Sequence, residues 1–330
     1  MRTFLIAGAA LLMAAAPVHA ASTTASAGST APDAPTVELR PASVPRGADI
    51  AIPHIEGRVI VDGDTRIRVQ GQVVHLLGTS GSAYVVHTST KDGYAAGRTL
   101  RVRPDGSTRV LLRHEAAADL VVTRDGNQVV NTRELPRDRT AVRVVSARTG
   151  DVVATRTFRG RMFSLDAAED RVLLSSWSPA RTVWWNFASG ATSVAAHRTG
   201  GAADITADRL GSYTGDPYDG GCYVLSSLRH PARILWRSCS DRALEFSPSG
   251  RRVATVGITD DGIGPRMVTV RRVQGGAALT RYQSQWFGEL RWETATALLL
   301  DTNGKRKAAT IRCVLTDCER ASDLEPVPQY

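Results

Sequence analysis

The local motifs that announce a nucleophile, a zinc site or a phosphate cradle are missing from this chain. His-Glu-x-x-His does not occur, and His114-Glu115 has no second histidine four residues after the first. Gly-x-Ser-x-Gly, the turn that presents a hydrolase serine, is absent; Gly78-Thr79-Ser80-Gly81 only approaches it. No glycine-rich phosphate loop is present. Lysine is scarce: of 41 basic residues only Lys91, Lys305 and Lys307 are lysine, the rest being arginine. The arginines form no dense block, so the net charge of +9 reads as a solvated basic surface. No nucleic-acid partner is expected, since the chain has no nucleic-acid-binding motif and reads as exported. Beyond residue 20 no apolar run approaches the roughly 20 residues that a membrane-spanning helix needs.

What is there is a repeat. Ala118 to Thr123 reads as a strand, Arg124-Asp125-Gly126 as its turn, and Asn127 to Asn131 as the returning strand. A polar stretch over 133–138 follows. Ala141 to Val145 then makes a third strand, Thr149-Gly150-Asp151 turns, and Val152 to Thr155 makes a fourth. Asp-Gly between β-branched runs is a strong hairpin signal, because both turn residues tolerate positive φ. First-hairpin turns recur near Gly81, Gly126, Asp170, Arg209, Gly250 and Ala295, at intervals of 45, 44, 39, 41 and 45. Second-hairpin turns recur near Gly106, Gly150, Gly190, Pro231, Gly275 and Thr316, at intervals of 44, 40, 41, 44 and 41. Two independent landmarks sharing one period point to an all-β propeller of four-stranded blades, six in number. A hairpin over 57–69, turning at Asp62-Gly63, reads as the N-terminal piece that closes the ring on the last blade. Seven blades result if that hairpin and the tail after Ser322 build part of another.

The fifth repeat carries a family resemblance. Phe246-Ser247-Pro248-Ser249-Gly250, followed by Val253-Ala254, resembles the "FSPDG" turn of WD40 and TolB-type propellers, with Ser249 where aspartate is usual. The Gly-His and Trp-Asp dipeptides of WD40 repeats are absent, so the resemblance favours a TolB-like bacterial propeller. It implies a platform for partners, and a component of cell-envelope assembly as one role.

The chain ends sort by composition. Arg2, an apolar run over 4–16 and Val18-His19-Ala20 form a signal peptide over 1–20 with cleavage near Ala20, so a secreted, extracytoplasmic protein is expected. Residues 21–45, rich in Ala, Ser, Thr and Pro, read as a disordered leader, and 46–330 as one propeller domain. Export makes disulfides the expected state of the four cysteines. Cys222 and Cys239 are placed symmetrically about the His230-Pro231 turn, and Cys313 and Cys318 about Leu315-Thr316. Each pair therefore faces across an outer hairpin, within disulfide reach.

Function is carried by loops. Those joining second to third strands (88–96, 133–139, 176–181, 214–221, 259–265) vary most and should open on one face, where a rigid scaffold presents binding residues. The candidate contacts are Tyr94, Arg137, Asp216, Tyr218, Asp219, Asp260 and Asp261. Trp184-Trp185 should place one ring on each side of its sheet, and Trp177, Trp236, Trp286 and Trp292 read as packing between blades. The expectation is a monomeric binding module for a protein, peptide or glycan, with no cofactor, no metal and no catalytic residue. The alternative is a hydrolase or lyase acting on wall or external polysaccharide. That reading needs two carboxylates converging on one channel mouth, from the clusters Asp62/Asp64, Asp216/Asp219 or Asp260/Asp261.

Overall fold

A computed structural model describes residues 34–90, 97–113 and 120–328; the signal-peptide segment, residues 21–33 of the leader and Tyr94 lie outside the described residues. The chain opens with a short strand, β1 (Thr36–Glu38), and then builds seven sheets in succession. The first sheet, called blade 7 from its place in the ring, has three strands: β2 (His54–Glu56), β3 (Val59–Asp62) and β4 (Thr65–Arg68). Blade 1 is β5 (Val73–Ser80), β6 (Ala83–Ser89), β7 (Arg98–Val102) and β8 (Thr108–Arg113). Blade 2 is β9 (Leu120–Val122), β10 (Gln128–Leu135), β11 (Arg139–Ser146) and β12 (Val152–Arg159). Blade 3 is β13 (Met162–Ala168), β14 (Arg171–Trp177), β15 (Ala180–Asn186) and β16 (Thr192–Ala196). Blade 4 is β17 (Gly200–Asp204), β18 (Arg209–Tyr213), β19 (Tyr223–Ser227) and β20 (Ile234–Ser238). Blade 5 is β21 (Asp241–Phe246), β22 (Arg252–Gly257), β23 (Met267–Arg272) and β24 (Ala278–Gln283). Blade 6 is β25 (Trp286–Trp292), β26 (Leu298–Asn303), β27 (Lys307–Val314) and β28 (Asp317–Arg320), with β29 (Glu325–Pro326) pairing further along β27. First strands of successive sheets are neighbours, which makes the inner ring of a β-propeller.

The blade count corrects the expectation of six: there are seven. The hairpin at Asp62-Gly63 does not join the C-terminal strands in a shared last blade. It gains β2 and stands as a sheet of its own, paired β2-β3-β4. Gly63 lies 43 residues before Gly106, so it extends the second-hairpin series by one unit. The twelve other expected turns all fall between paired strands, including the Ser247 to Arg252 turn of the FSPDG-like segment.

Sequence explains the layering. The second and third strands of each blade are covered on both faces by neighbouring blades, so β6 and β19 are buried at every position and read as nearly continuous apolar or small runs. Fourth strands form the rim, and β12 shows the alternation of a half-exposed sheet edge. Trp185, Tyr223, Tyr282 and Phe287 are fully buried between blades. Each contributes about 2–3 kcal/mol by area removed from water. First strands β5, β13, β17, β21 and β25 share a register shift partway along. A bulge sharpens the local twist and re-aims side chains, which lets these strands splay around the channel.

The leader also departs from expectation: by Ala34 it has entered the fold. Strand β1 pairs in parallel with the outer strand β24, and Leu39 is buried in the cluster between blades 5 and 6. Residues 40–49 then cross the rim of blade 6, held by the bridge Arg46–Arg320. Arg312 fixes the crossing. It donates to Glu293 and Glu319 and to the carbonyl oxygens of Ala48 and Asp49, at 2.5 to 3.0 Å. The composition that reads as unstructured works here as a strap, because its backbone pairs with an exposed edge and needs few side chains.

Candidate functional site

The second-to-third-strand loops of blades 3, 4 and 5 form a connected surface. In blade 3, Trp177 stays half exposed and stacks on Tyr213 of blade 4, ring centroids 5.0 Å apart. Tyr213 meets the buried Tyr223 edge-on at 5.1 Å, so the surface ring rests on an aromatic row inside the blade. Glycine makes that row possible: a Cβ on Gly201 would stand 2.7 Å from the Tyr213 ring, and one on Gly211 would collide with the Tyr223 hydroxyl.

From Tyr213 the chain enters the loop that carries Tyr218. Asp216 caps its single 3-10 turn, accepting from the Tyr218 amide at 2.9 Å. Gly220 closes the turn in the left-handed conformation. The disulfide Cys222–Cys239 ties the base of this loop to the outer strand, with Cα atoms 4.1 Å apart. The ring of Tyr218 is 67% exposed, while its hydroxyl donates to Asp261 of blade 5 at 2.7 Å. That bond raises the tyrosine's pKa. Ile263 and Met267 of blade 5 continue the surface, both exposed.

The expected residues divide accordingly. Tyr218 and Asp261 meet. Asp216 shapes their loop, and Asp219 is exposed within the same turn. Asp260 turns inward and accepts from the Gly257 amide at 2.8 Å, while its carbonyl accepts from Arg242. Arg137 sits at the tip of the β10–β11 turn of blade 2 with φ of 64°, beside a cavity of about 390 Å³ bounded by Glu134, Asp138, Arg161, Phe163 and Trp177. Trp177 corrects its reading as blade packing: Tyr213 of blade 4 meets one side of its ring and the rest stays exposed. Trp236, Trp286 and Trp292 are buried, Trp185 is buried, and Trp184 carries Arg171 over its outer ring face. Neither Ile263 in the loop nor Met267 at the start of β23 has a sequence signal, because an isolated apolar residue does not reveal its exposure.

A basic groove borders this surface. About 750 Å³ in volume, it lies between the strap at Arg40 to Ser43, Arg266 of the blade 5 loop and Lys305 to Lys307 of the blade 6 loop. Arg40 is paired with Glu38, and none of the other four basic side chains has an ion pair among those described.

The channel holds a different cluster. Arg124, from the first turn of blade 2, forks onto Asp166 of blade 3 at 3.0 and 3.1 Å and reaches Asp204 of blade 4 at 3.4 Å. Glu245 of blade 5 faces the same charges, and confinement by the surrounding protein pushes its pKa up to about 7 against the pull of Arg124. None of the three carboxylate pairs expected from sequence converges there. Asp62 accepts from the Tyr84 hydroxyl at 2.8 Å, and the other pairs stand in the outer loops. Asp166 and Asp204 are engaged by Arg124 and by the amides of Ala167, Ile205 and Ala207. Those contacts latch three blades together and leave neither carboxylate free as a nucleophile or base.

The site and ring together define a seven-bladed β-propeller with an aromatic patch on one face. Likeness to solved structures agrees on that fold. The chain resembles a propeller in the crystal structure of a mitotic checkpoint complex, with TM-score 0.55 and 14% identity over 84% of this chain and 86% of that one. It resembles the Cps50 (Swd1) β-propeller domain of Myceliophteria thermophila, with TM-score 0.51 and 9% identity over 76% and 90%. It also resembles the WD40 domain of Toxoplasma gondii coronin, with TM-score 0.50 and 12% identity over 86% and 78%. No family model matches the sequence, and no curated protein matches it. At these identities the likeness is one of fold.

Proposed function

We propose that this protein is an exported binding module that holds a partner protein against the loop face of blades 3 to 5. The observation that carries this reading is the grouping of Trp177, Tyr218, Ile263 and Met267. These four exposed large apolar side chains all stand at second-to-third-strand loops of three successive blades. Rigid aromatic anchors ringed by polar groups are the usual centre of a protein interface. Tyr218 is steadied by Asp261 and Trp177 by Tyr213, so little side-chain freedom is lost on binding. The groove at Arg266 and Lys305 to Lys307 flanks the patch, which fits a partner with acidic groups. Two disulfides and the N-terminal composition support export.

The test uses the mature protein as bait against envelope and secreted fractions, beside a bait carrying Trp177→Ala and Tyr218→Ala. A protein captured by the first and lost from the second, with both baits folded, supports the reading. Equal capture by both overturns it.

A further inference from the structure

Blade 7 lacks its innermost strand among the described residues. Its three strands take the second, third and fourth places of a blade, as three observations show. The Gly63 turn falls 43 residues before Gly106, which turns third strand into fourth in blade 1. Asp62 lies against Tyr84, at the end of blade 1 where first and second strands turn. The chain then passes from β4 into β5 through Gln72, whose amide donates to Ser89 at the opposite end. So β2 is a second strand, and one of its edges has no strand beside it. The residues that would have supplied a first strand are spent on the rim of blades 5 and 6 as the strap.

The seam beside that edge is thinly filled. Six seams of the ring hold clusters of 13, 10, 9, 8, 7 and 6 buried hydrophobic residues. The seam between blades 6 and 7 holds three: Ile50, Leu299 and Ala321. A cavity of about 230 Å³ lies there. Asn303 lines it, is 1% exposed, and has no hydrogen-bond partner for either side-chain polar atom. Buried amides are paired in nearly all proteins, and an orphan one marks a place where a partner is wanted. Asp301 beside it is pushed up to about 6 by burial and then by Glu289, for want of a cation strong enough to offset them. The walls carry four carboxylates, Glu56, Glu289, Asp301 and Glu325; Glu56 is paired with Arg66 and His54 and Glu289 with Arg291, so Asp301 and Glu325 have no ion pair among those described, in a chain whose net charge is +9.

We propose that this seam is a second binding site, independent of the loop face, which takes an extended peptide segment bearing a basic side chain as the missing first strand of blade 7. The free edge of β2 supplies main-chain hydrogen bonds, the mode of strand addition seen where a sheet edge is open. Alternation along the peptide turns one side chain toward Leu299 and Ala321 and the next toward Asp301 and Asn303. The basic group pairs with Asp301, and the peptide's polar atoms satisfy the Asn303 amide.

The test pans a displayed library of random heptapeptides on the full chain, with counter-selection on Asp301→Asn. The enriched peptide is then synthesised and its affinity measured by fluorescence anisotropy. The inference expects a Lys- or Arg-bearing sequence of alternating pattern. It expects at least tenfold weaker binding to Asp301→Asn and to Asn303→Leu, and slowed amide exchange in residues 54–57. Trp177→Ala and Tyr218→Ala should leave this binding unchanged. Asp301→Asn removes a confined charge and Asn303→Leu an unpaired buried amide, so their folding is checked by thermal melting and expected to be no worse than that of the parent. No sequence enriched over the counter-selection overturns the inference, as does protection confined to the loop face. Binding only by a chain lacking residues 1–33 would assign the slot to the protein's own N-terminal segment and equally overturn it.

Discussion

The hydroxyl of Tyr218, in a loop of blade 4, donates to the carboxylate of Asp261, in the corresponding loop of blade 5, at 2.7 Å. The bond crosses a blade boundary at the surface and leaves the ring face open to solvent. Tyr218→Phe removes the bond and keeps the ring; Tyr218→Ala removes both. Neither is expected to shift stability by more than about 0.5 kcal/mol, because the residue is exposed. Partner affinity should fall by less than threefold for the phenylalanine and by tenfold or more for the alanine. Calorimetric titration against the captured partner separates the two.

A channel carboxyl gives the protein a pH dependence of known sign. The protein crowded around its carboxyl lifts Glu245, which stays open to solvent on the channel wall, from 4.5 to about 7. A carboxyl raised on folding holds its proton more tightly in the native state. It therefore costs nothing below its unfolded pKa and costs progressively more as the pH rises to its folded pKa. Glu245→Gln should melt together with the parent at pH 4, gain on it between about pH 4.5 and 7, and keep a constant advantage above that. A melting series from pH 4 to 8.5 checks this; a gap that narrows with rising pH would show the opposite linkage.

Arg312 carries the strap. Its side chain and that of Glu293 are only 13% and 6% exposed. The hydrogen bond to Glu293, opposed by burial, holds the guanidinium well above its ordinary pKa. Arg312→Ala leaves Glu293 buried beside an empty site and is expected to cost about 3–5 kcal/mol in urea denaturation. Arg312→Lys should recover only part of this, since an ammonium cannot fork to two carboxylates and two carbonyls. Limited proteolysis within residues 34–50 should rise with the alanine variant.

The two disulfides should contribute unequally. Each closes an outer hairpin, with a sequence separation of 17 for Cys222 and Cys239 and of 5 for Cys313 and Cys318. The chain-entropy relation gives about 3 kcal/mol for the first and about 2 kcal/mol for the second. Paired serine replacements, compared by chemical denaturation, should preserve that order. Loss of Cys222–Cys239 should also weaken partner capture, because that bridge holds the base of the Tyr218 loop.

Much of this fold is legible in sequence because its period is local. A turn such as Asp125-Gly126 or Thr149-Gly150 holds glycine at positive φ, and the same placement recurs at Gly63, Gly81, Gly106, Gly190, Gly250 and Gly275. The cysteine pairs follow from the same register: Cys313 faces Cys318 across β27 and β28. Blade 7 is less legible, since with no first strand among the described residues its Gly63 turn looks like a closing hairpin. The strap was hidden because parallel pairing of Thr36 to Glu38 with Arg281 to Gln283 uses backbone and leaves no side-chain pattern. For the site, the 214–221 and 259–265 loops and the Tyr218–Asp261 neighbourhood were visible as long polar loops on a regular scaffold. Trp177 was not, because exposure at a strand end is decided by the next blade. The Arg124–Asp166–Asp204 latch joins residues some 40 positions apart in three blades, a contact no local pattern reports.

Site-specific photocrosslinking tests the central claim most directly. A photoreactive residue is placed at position 177 or 218 on the loop face, or at position 148 in the β11–β12 turn on the opposite face, and irradiated in the presence of exported fractions. The account predicts the same protein adduct from 177 and 218 and none from 148. An adduct from 148 alone, or equal adducts from all three positions, would contradict it.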